Sequence, residues 1–352
     1  RWRGFGVDRC QREIVRTLRT TAKPVYVMKR DISDFFASID HAVLLGKLDQ
    51  FIEPNGYLSE LVTDCVRFTY RDEEDLRTAQ CGVAFGTAIA CLFANIYLVE
   101  LDRRLEAIPQ ARFFRYADDL LVLSPSRDGL EQAGEVFRSQ LKALGLTSKP
   151  SHECDFLLTE TASADEISAN CRTFRHLGLE FRADGSVGLA RDKFRKIRNL
   201  FRFAFRRNRT RFQRMQSPES RAMLAVEIAR KTLSHGVRNV AIIDYYLRHV
   251  TDESQLRRLD RWLAEEVLSL AFQGGHKKGY FRLLPFRRLR QMGLPSLVHR
   301  RRLILHGHVD SPFFVWRAYR ANRGYGGKAA KSRPPEASAF SQSPEAVAES
   351  TS

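Results

Sequence analysis

The sequence contains no apolar run of the roughly 18 to 20 residues that a membrane span requires. Its most apolar stretch, residues 88–98, is interrupted by Asn95 and followed by Glu100 and Asp102. No secretory leader is visible, and because the chain opens on Arg1 and not on Met, its natural N-terminus is expected to lie upstream. The six cysteines, at 10, 65, 81, 91, 154 and 171, form no C-x-x-C pair and no metal-ligand spacing with histidine. This argues against a disulfide scaffold or a zinc module, and reduced thiols in a cytoplasmic protein are expected. Acidic residues are scarce beside basic ones: 41 Asp and Glu against 58 Lys and Arg leave a formal charge of +17. That balance disfavours an enzyme of small metabolites and points to a polyanion, nucleic acid first. With 352 residues, 43% of them hydrophobic, the chain can bury one large or two moderate domains.

Residues 115–124, RYADDLLVLS, set two adjacent carboxylates, Asp118 and Asp119, between apolar runs. Phe113 and Phe114 on one side and Leu120 to Leu123 on the other are suited to buried strands, and Ala-Asp-Asp is turn chemistry. A hairpin with an acidic tip is therefore predicted. Two neighbouring carboxylates repel by about 1 kcal/mol at 4 Å in water and by several times that near a low-dielectric core. A hard divalent cation is the natural counterion. Upstream, residues 25–40 read VYVMKRDISDFFASID, a predicted strand that delivers Asp31 at its end. Convergence of Asp31, Asp118 and Asp119 on two cations would suit in-line phosphoryl or nucleotidyl transfer.

DISDFFASIDH, then FANIYLVELD at 93–102, RYADDLLVL, and HLGLEF at 176–181, in this order, resemble the palm of a bacterial reverse transcriptase. The broad group includes the polymerases of group II introns, retrons, diversity-generating retroelements and antiviral defence systems. The resemblance covers residues 5–185 and implies an α+β fold. In that fold a right-hand polymerase palm, an antiparallel sheet with packed helices, is followed by an all-helical thumb. It implies RNA-directed DNA synthesis with two Mg²⁺ ions, for which Mn²⁺ can substitute. Asp31, Asp118 and Asp119 would be catalytic and would bind metal together with the backbone of Ile32.

Phe36 would lie beneath the sugar of the incoming nucleotide and exclude a 2′-hydroxyl. Phe85 and Gly86 fall in the turn GVAFGTAIA, where relatives read GLPxGxxxS, so Phe85 and Gly86 are candidate nucleotide contacts in an altered pocket. Lys149, in LTSKPSH, occupies the place of a basic motif near the triphosphate, with His152 as runner-up. Leu177 and Gly178 correspond to the tip of the primer grip. RGFGVDRCQREIV resembles the segment before the first catalytic motif, so most of the N-terminal fingers region is expected to be missing here. Arg9, Arg12, Lys29, Arg30 and Lys149 are then the basic residues left to meet a triphosphate, and weak activity is expected without an upstream fingers segment or partner.

Two helices are predicted around 43–50 and 58–68, a polar loop at 71–77, and a long helix after Gly86 with Leu92, Ile96 and Val99 inward. A further amphipathic helix is predicted at 129–144. FRHLGLEF followed by ADGSVGL predicts a hairpin turning at 184–186. Between residues 191 and 214, eleven Lys and Arg face one acid, Asp192, with phenylalanines interleaved. This predicts one or two basic amphipathic helices; Arg195, Lys196, Arg206 and Arg207 are candidate phosphate ligands. More helices follow to residue 272. Residues 276–302 carry nine Lys and Arg and no acid, with Tyr280, Phe281 and Phe286 among them. Arg287, Arg288 and Arg290 are further nucleic-acid candidates. The tail is rich in Gly, Ser, Pro and Ala and is predicted to be disordered.

The expected organisation is a palm with partial fingers over 1–188, a helical thumb over 189–275, a basic extension over 276–323 and a tail over 324–352. The expected partners are an RNA template, a DNA or RNA primer, dNTPs, and a structured non-coding RNA or upstream fingers segment, with no membrane. Two alternatives stand beside the polymerase. One is a non-catalytic, maturase-like RNA-binding protein, favoured by the altered GVAFGTAIA turn but not by the acidic trio. The other is an untemplated or self-primed polymerase of a phage-defence system.

Overall fold

The computed structural model describes residues 6–53, 55–72, 75–159, 169–233 and 238–307. Helix α1 (Val7–Thr20) precedes strand β1 (Val25–Arg30), and helices α2 (His41–Leu48) and α3 (Tyr57–Val66) follow. Next come β2 (Thr69–Asp72), β3 (Asp75–Thr78), and helices α4 (Ala88–Tyr97) and α5 (Val99–Glu106). The predicted acidic hairpin is β4 (Arg112–Tyr116) and β5 (Asp119–Ser124), which α6 (Arg127–Ala143) follows. Strands β6 (Cys154–Leu158) and β7 (Ala169–Cys171) complete a five-stranded sheet of order β4-β5-β1-β6-β7. A second sheet contains β8 (Thr173–His176), β9 (Leu179–Arg182) and β10 (Val187–Leu189).

The central strands are covered on both faces, as their near-continuous apolar runs require. Successive side chains of a strand point to opposite faces. Leu120 and Val122 of β5, with Met28 of β1, enter a core built with α2, α4, α5 and α6. Leu121 and Leu123, with Val25 and Val27, enter a second core that also takes Ile14 and Leu18 of α1 and the second sheet. This second core continues without a break into the helices beyond residue 189.

Those helices are α7 (Arg191–Arg207), α8 (Arg209–Gln213), α9 (Pro218–Thr232), α10 (Arg238–His249) and α11 (Glu253–Ala271). Three shorter ones, α12 (Tyr280–Leu283), α13 (Phe286–Gln291) and α14 (Leu297–Leu305), pack onto them through Leu289, Leu297 and Ile304. Arg300 of α14 is paired with the buried Asp244 of α10 at 2.5 and 2.8 Å and donates to the Leu233 carbonyl. Arg301 donates to the Val250 carbonyl. Part of the charge in the basic extension therefore holds helices together. His308 and the 324–352 tail lie outside the described residues.

Three sequence expectations are corrected. Residues 71–72 and 75–77 belong to antiparallel strands, β2 paired with β3, and the fully exposed β3 leaves no burial pattern to read. The long helix after Gly86 breaks at Leu98, and its first half buries Ala90, Phe93, Ala94 and Tyr97 while Leu92 is exposed. The hairpin at 174–189 is a three-stranded meander with a turn at Leu177–Gly178 as well as at 183–186. Leu177 and Gly178 have φ of 48° and 82°, as a two-residue hairpin loop of the primed type demands. After Asp31 the chain turns sharply: Asp34 adopts φ 43° and Phe35–Ala37 forms a 3₁₀ turn. Among the described residues no helix is long and apolar enough to cross a membrane. All six cysteines are unpaired.

Candidate active site

Antiparallel pairing of β1 with β5 runs to Arg30 opposite Leu120. Asp31 and Asp119 are one step further, at the same end of the sheet. Ala117 and Asp118 form the tight turn between Tyr116 and Asp119, with Ala117 at φ 55°. The turn brings the Asp118 carboxyl against that of Asp31. Burial, followed by the charge of Asp31, a hydrogen bond to it and the charge of Asp119, raises the Asp118 pKa above the usual carboxylate range, despite a backbone hydrogen bond that opposes the shift.

Asp119 points elsewhere. Its Oδ2 lies 3.3 Å from Nδ1 of His176, whose ring is fully buried, at an angle too poor for a good hydrogen bond, and this nitrogen has no other partner among the described residues. Nε2 of the same ring lies 3.9 Å from Cys10 Sγ. Burial alone would raise Asp119, but the His176 hydrogen bond and the charges of His176, Lys29 and His152 outweigh it and hold the carboxyl low. Burial and the Asp119 charge push the Cys10 thiol up to about 12, so it is protonated and inert. His176 immediately precedes Leu177 and Gly178, and therefore ties the expected primer-grip turn to the acidic turn.

The SKPSH segment runs beside Asp31. Ser33 N donates to Thr147 O, Ile32 bridges Ser148, and Lys149 N donates to Asp31 O at 2.9 Å. Lys149 is exposed, and His152 Nδ1 lies 2.7 Å from Asp31 Oδ2. Phe35 is buried, whereas Phe36 is half-buried and meets the exposed Phe85 edge to face at 5.3 Å. The loops carrying them are joined by Val83 N to Phe36 O and Gly82 N to Ile39 O. Gly86, at φ 90°, has open space where a side chain would stand.

Two residues that sequence reasoning left unassigned hold this site. One is His176. The other is Arg115, which donates to Asp102 at 2.7 and 2.5 Å, to Asn95 Oδ1 at 3.2 Å and to the Ala117 carbonyl at 3.1 Å. It clamps the acidic turn to α4 and α5. The available signal was the recurrence of Asn95, Asp102 and Arg115 inside two quoted motifs. Arg30, expected near a triphosphate, is instead buried in a bidentate pair with Asp155 at 2.7 Å, and Arg12 lies on the outward face of α1.

The candidate phosphate ligands divide by surroundings. Arg195, Lys196, Arg206 and Arg207 are exposed on α7, and Arg207 stacks on the exposed Phe203 at 5.6 Å. Arg198 and Arg202 of the same helix are stacked on Trp262. Arg287, Arg288 and Arg290 are exposed on α13, but Arg288 pairs with Glu219 at 2.9 Å and Arg290 stacks on Phe286.

Among the described residues no three His, Cys, Asp or Glu side chains stand as a metal-ligand set. The pair that converges is Asp31 with Asp118, and it fits a divalent ion of the Mg²⁺ kind. Such an ion commonly takes one or two protein carboxylates and completes its shell with water and phosphate.

Comparison with protein families matches residues 4–181 to the reverse transcriptase (RNA-dependent DNA polymerase) family. The chain belongs to this family. No curated protein matches it. Among solved structures, telomerase from Candida tropicalis in complex with a TWJ fragment of telomeric RNA is 10% identical, with 90% of this chain and 50% of that one covered and a TM-score of 0.45. Apo telomerase from Candida tropicalis is 14% identical over 81% of this chain and 53% of its own, at a TM-score of 0.44. Candida albicans telomerase with a TWJ fragment is 13% identical over 81% and 50%, at 0.43. The chain spans about half the length of these structures. As a reverse transcriptase family member it has the α+β organisation of sheet and packed helices described above.

Proposed function

We propose that this chain is the polymerase core of an RNA-directed DNA polymerase of the bacterial retroelement or defence type that its motifs resemble. The observation that carries the reading is the meeting of Asp31, at the end of β1, with Asp118, in the β4–β5 turn, under mutual repulsion. Nothing in the binding of RNA calls for paired carboxylates, which repel phosphate. This favours an enzyme over a non-catalytic binding protein.

Asp31 and Asp118 would hold the divalent ions, aided by the Ile32 main chain, with Asp119 as ligand or support. When bound, these ions stabilise charge on the attacking and leaving oxygens of an in-line nucleotidyl transfer. The remaining work falls to the protein. His176 fixes the Asp119 carboxylate, and Arg115 fixes the turn. Phe36 would underlie the sugar, with Phe85 in edge-to-face contact and Gly86 in the same turn, and Lys149, whose main chain is bonded to Asp31, would offer its ammonium to the triphosphate. Leu177 and Gly178 would support the primer end. Exposed Arg195, Lys196, Arg206 and Arg207, with Arg287, Arg288 and Arg290, would meet backbone phosphates of primer and template. In domain terms, residues 1–188 would serve as palm with partial fingers, 189–275 as thumb and 276–323 as a basic extension, whose described helices at 280–305 pack on the thumb helices.

The test is incorporation of dNTPs on an RNA template with a DNA primer in Mg²⁺. Asp118→Asn is nearly isosteric and relieves repulsion, so the variant should fold and lose incorporation by orders of magnitude. Retained incorporation would remove the metal assignment.

A further inference from the structure

Helix α1 sets Arg12, Arg16 and Arg19 on one stripe, since residues three and four apart share a helix face. All three are exposed. The stripe lies on the opposite side of the helix from Cys10, Ile14 and Leu18, which are buried in the core, Cys10 against His176. Across from the stripe stands Arg248, in the last turn of α10, and the four arginines border an open cavity of about 450 Å³. The carboxylates close to these groups are Asp8 and Glu13. Asp8 is taken up by His249 at 2.7 Å and Arg248 at 3.4 Å, and Glu13 reaches Arg16 only at 4.0 Å. Four guanidinium groups thus share one cavity with too little negative charge to balance them.

We infer that this cavity binds the phosphodiester backbone of a single-stranded nucleic-acid segment, at a site separate from the acidic turn. The guanidinium fork matches phosphate geometry. From Arg12 to Arg19 the stripe extends about 10 Å at 1.5 Å per residue. One strand of a duplex advances about 3.4 Å per phosphate along the axis and an extended single strand advances farther, so the stripe meets at most about three phosphates. The inference rests on the proposed nucleic-acid substrate class and is independent of catalysis. Two sources share the chemistry: the single-stranded extension of the template, and a separate RNA.

The test uses the full chain in metal-free buffer, where binding is read by fluorescence anisotropy and does not depend on turnover. The variant is Arg16→Gln with Arg19→Gln. Glutamine keeps the Cγ that Arg19 rests on Gly185, where an added Cβ would come within 2.8 Å of it. The probes are a primer–template with a minimal overhang, the same duplex with a long single-stranded template extension, and a free single-stranded RNA. Each lost contact to a single strand should lower the slope of log K against log salt by about 0.7. The pair should therefore lose about 1.4, so that the variant's loss of affinity relative to the unmodified chain should be about 25-fold larger at 0.1 M than at 1 M salt. A loss confined to the extended duplex assigns the site to template, and a loss confined to free RNA assigns it to a separate RNA. Arg16→Lys with Arg19→Lys should keep the slope. An unchanged slope for every probe with a glutamine variant that is folded by circular dichroism overturns the inference, as does a lysine variant that loses as much as the glutamine one. Loss of incorporation in Asp118→Asn bears on the catalytic proposal alone.

Discussion

Arg115→Met separates the two things that Arg115 does. Its side chain is 6% exposed and that of its partner Asp102 20% exposed. Removing one member of such a pair leaves an uncompensated charge, at a cost of about 3 to 5 kcal/mol when fully buried. The remaining exposure of Asp102 places the expected loss near the lower end, about 3 kcal/mol, which is a large share of a total stability on the order of 5 to 15 kcal/mol. Urea unfolding followed by tryptophan fluorescence reads it. Replacing both partners, Asp102→Leu with Arg115→Met, puts two apolar side chains in the same volume and should recover most of that stability. Activity should not return, because the Ala117 carbonyl has still lost its donor and the left-handed Ala117 its anchor. A shift of about 1 Å in a reacting group costs on the order of 100-fold in rate. If the double variant regains both stability and dNTP incorporation, Arg115 serves packing only. If the single variant loses less than about 1 kcal/mol, Asp102 is solvated well enough to stand alone and the clamp does not exist.

Asp118 has a raised pKa, so the folded state binds its proton more tightly than the unfolded chain does. The stability this contributes is present below the ordinary carboxylate pKa and is lost as pH rises through the folded value. In metal-free buffer the stability advantage of Asp118→Asn should therefore grow from acid towards neutral pH, and a constant difference refutes the raised value. His176→Phe keeps volume and removes the donor to Asp119, which should cost about 1 to 3 kcal/mol of stability and lower kcat, with His176→Asn restoring part of both. Equal behaviour of the two variants would show that the hydrogen bond is idle. Phe36→Ala should raise rNTP use relative to dNTP use on one primer–template, whereas Phe35→Ala should mainly lower Tm, since Phe35 is the buried member. An unchanged ratio removes Phe36 as sugar gate. Replacing Arg287, Arg288 and Arg290 by Gln should flatten the salt dependence by up to about 0.9 per contact on duplex DNA, Arg288 contributing least because Glu219 already holds it. An unchanged slope would place α13 away from the substrate.

Much of the architecture was legible because its signals are local. The run from Leu120 to Leu123 is apolar at every position, and only a strand covered on both faces accommodates that. Ala-Asp between β-prone segments fixes a tight turn, and the strand of residues 25–30 ends where Asp31 begins. The helices beyond residue 189 were likewise visible in their periodicity. What was not legible depends on pairing between distant segments. Arg30 reads as a cation beside a catalytic aspartate, yet its position alternates with Asp31, and β6 supplies Asp155 to neutralise it. His176 reads as a polar residue before a turn. Its role appears only when the parity of β5 turns Asp119 towards the core that receives β8. The β2–β3 hairpin escaped notice because neither face is buried, so residues 71–77 carry no alternation to detect.

The acidic turn lies at the seam of the two cores, so changes in its neighbourhood should be felt on both sides. β1 and β5 send alternate side chains into both cores, so the approach of Asp31 to Asp118 is set by packing on two sides at once. The loop after Asp31 is fixed in a third way, by the turn that carries Phe85. Gly82 adopts φ 80°, and a Cβ there would come within 3.0 Å of the Ala37 backbone and of the Phe36 carbonyl. Any side chain at Gly82 would push the Phe36 loop from the Phe85 turn and break the Gly82 N to Ile39 O bond of 2.7 Å. Gly86 has a similar φ, 90°, but open space around it, so its requirement is conformational and not steric. The two glycines look alike in sequence, yet one sets the distance between the two aromatic rings while the other only lets the chain turn into α4.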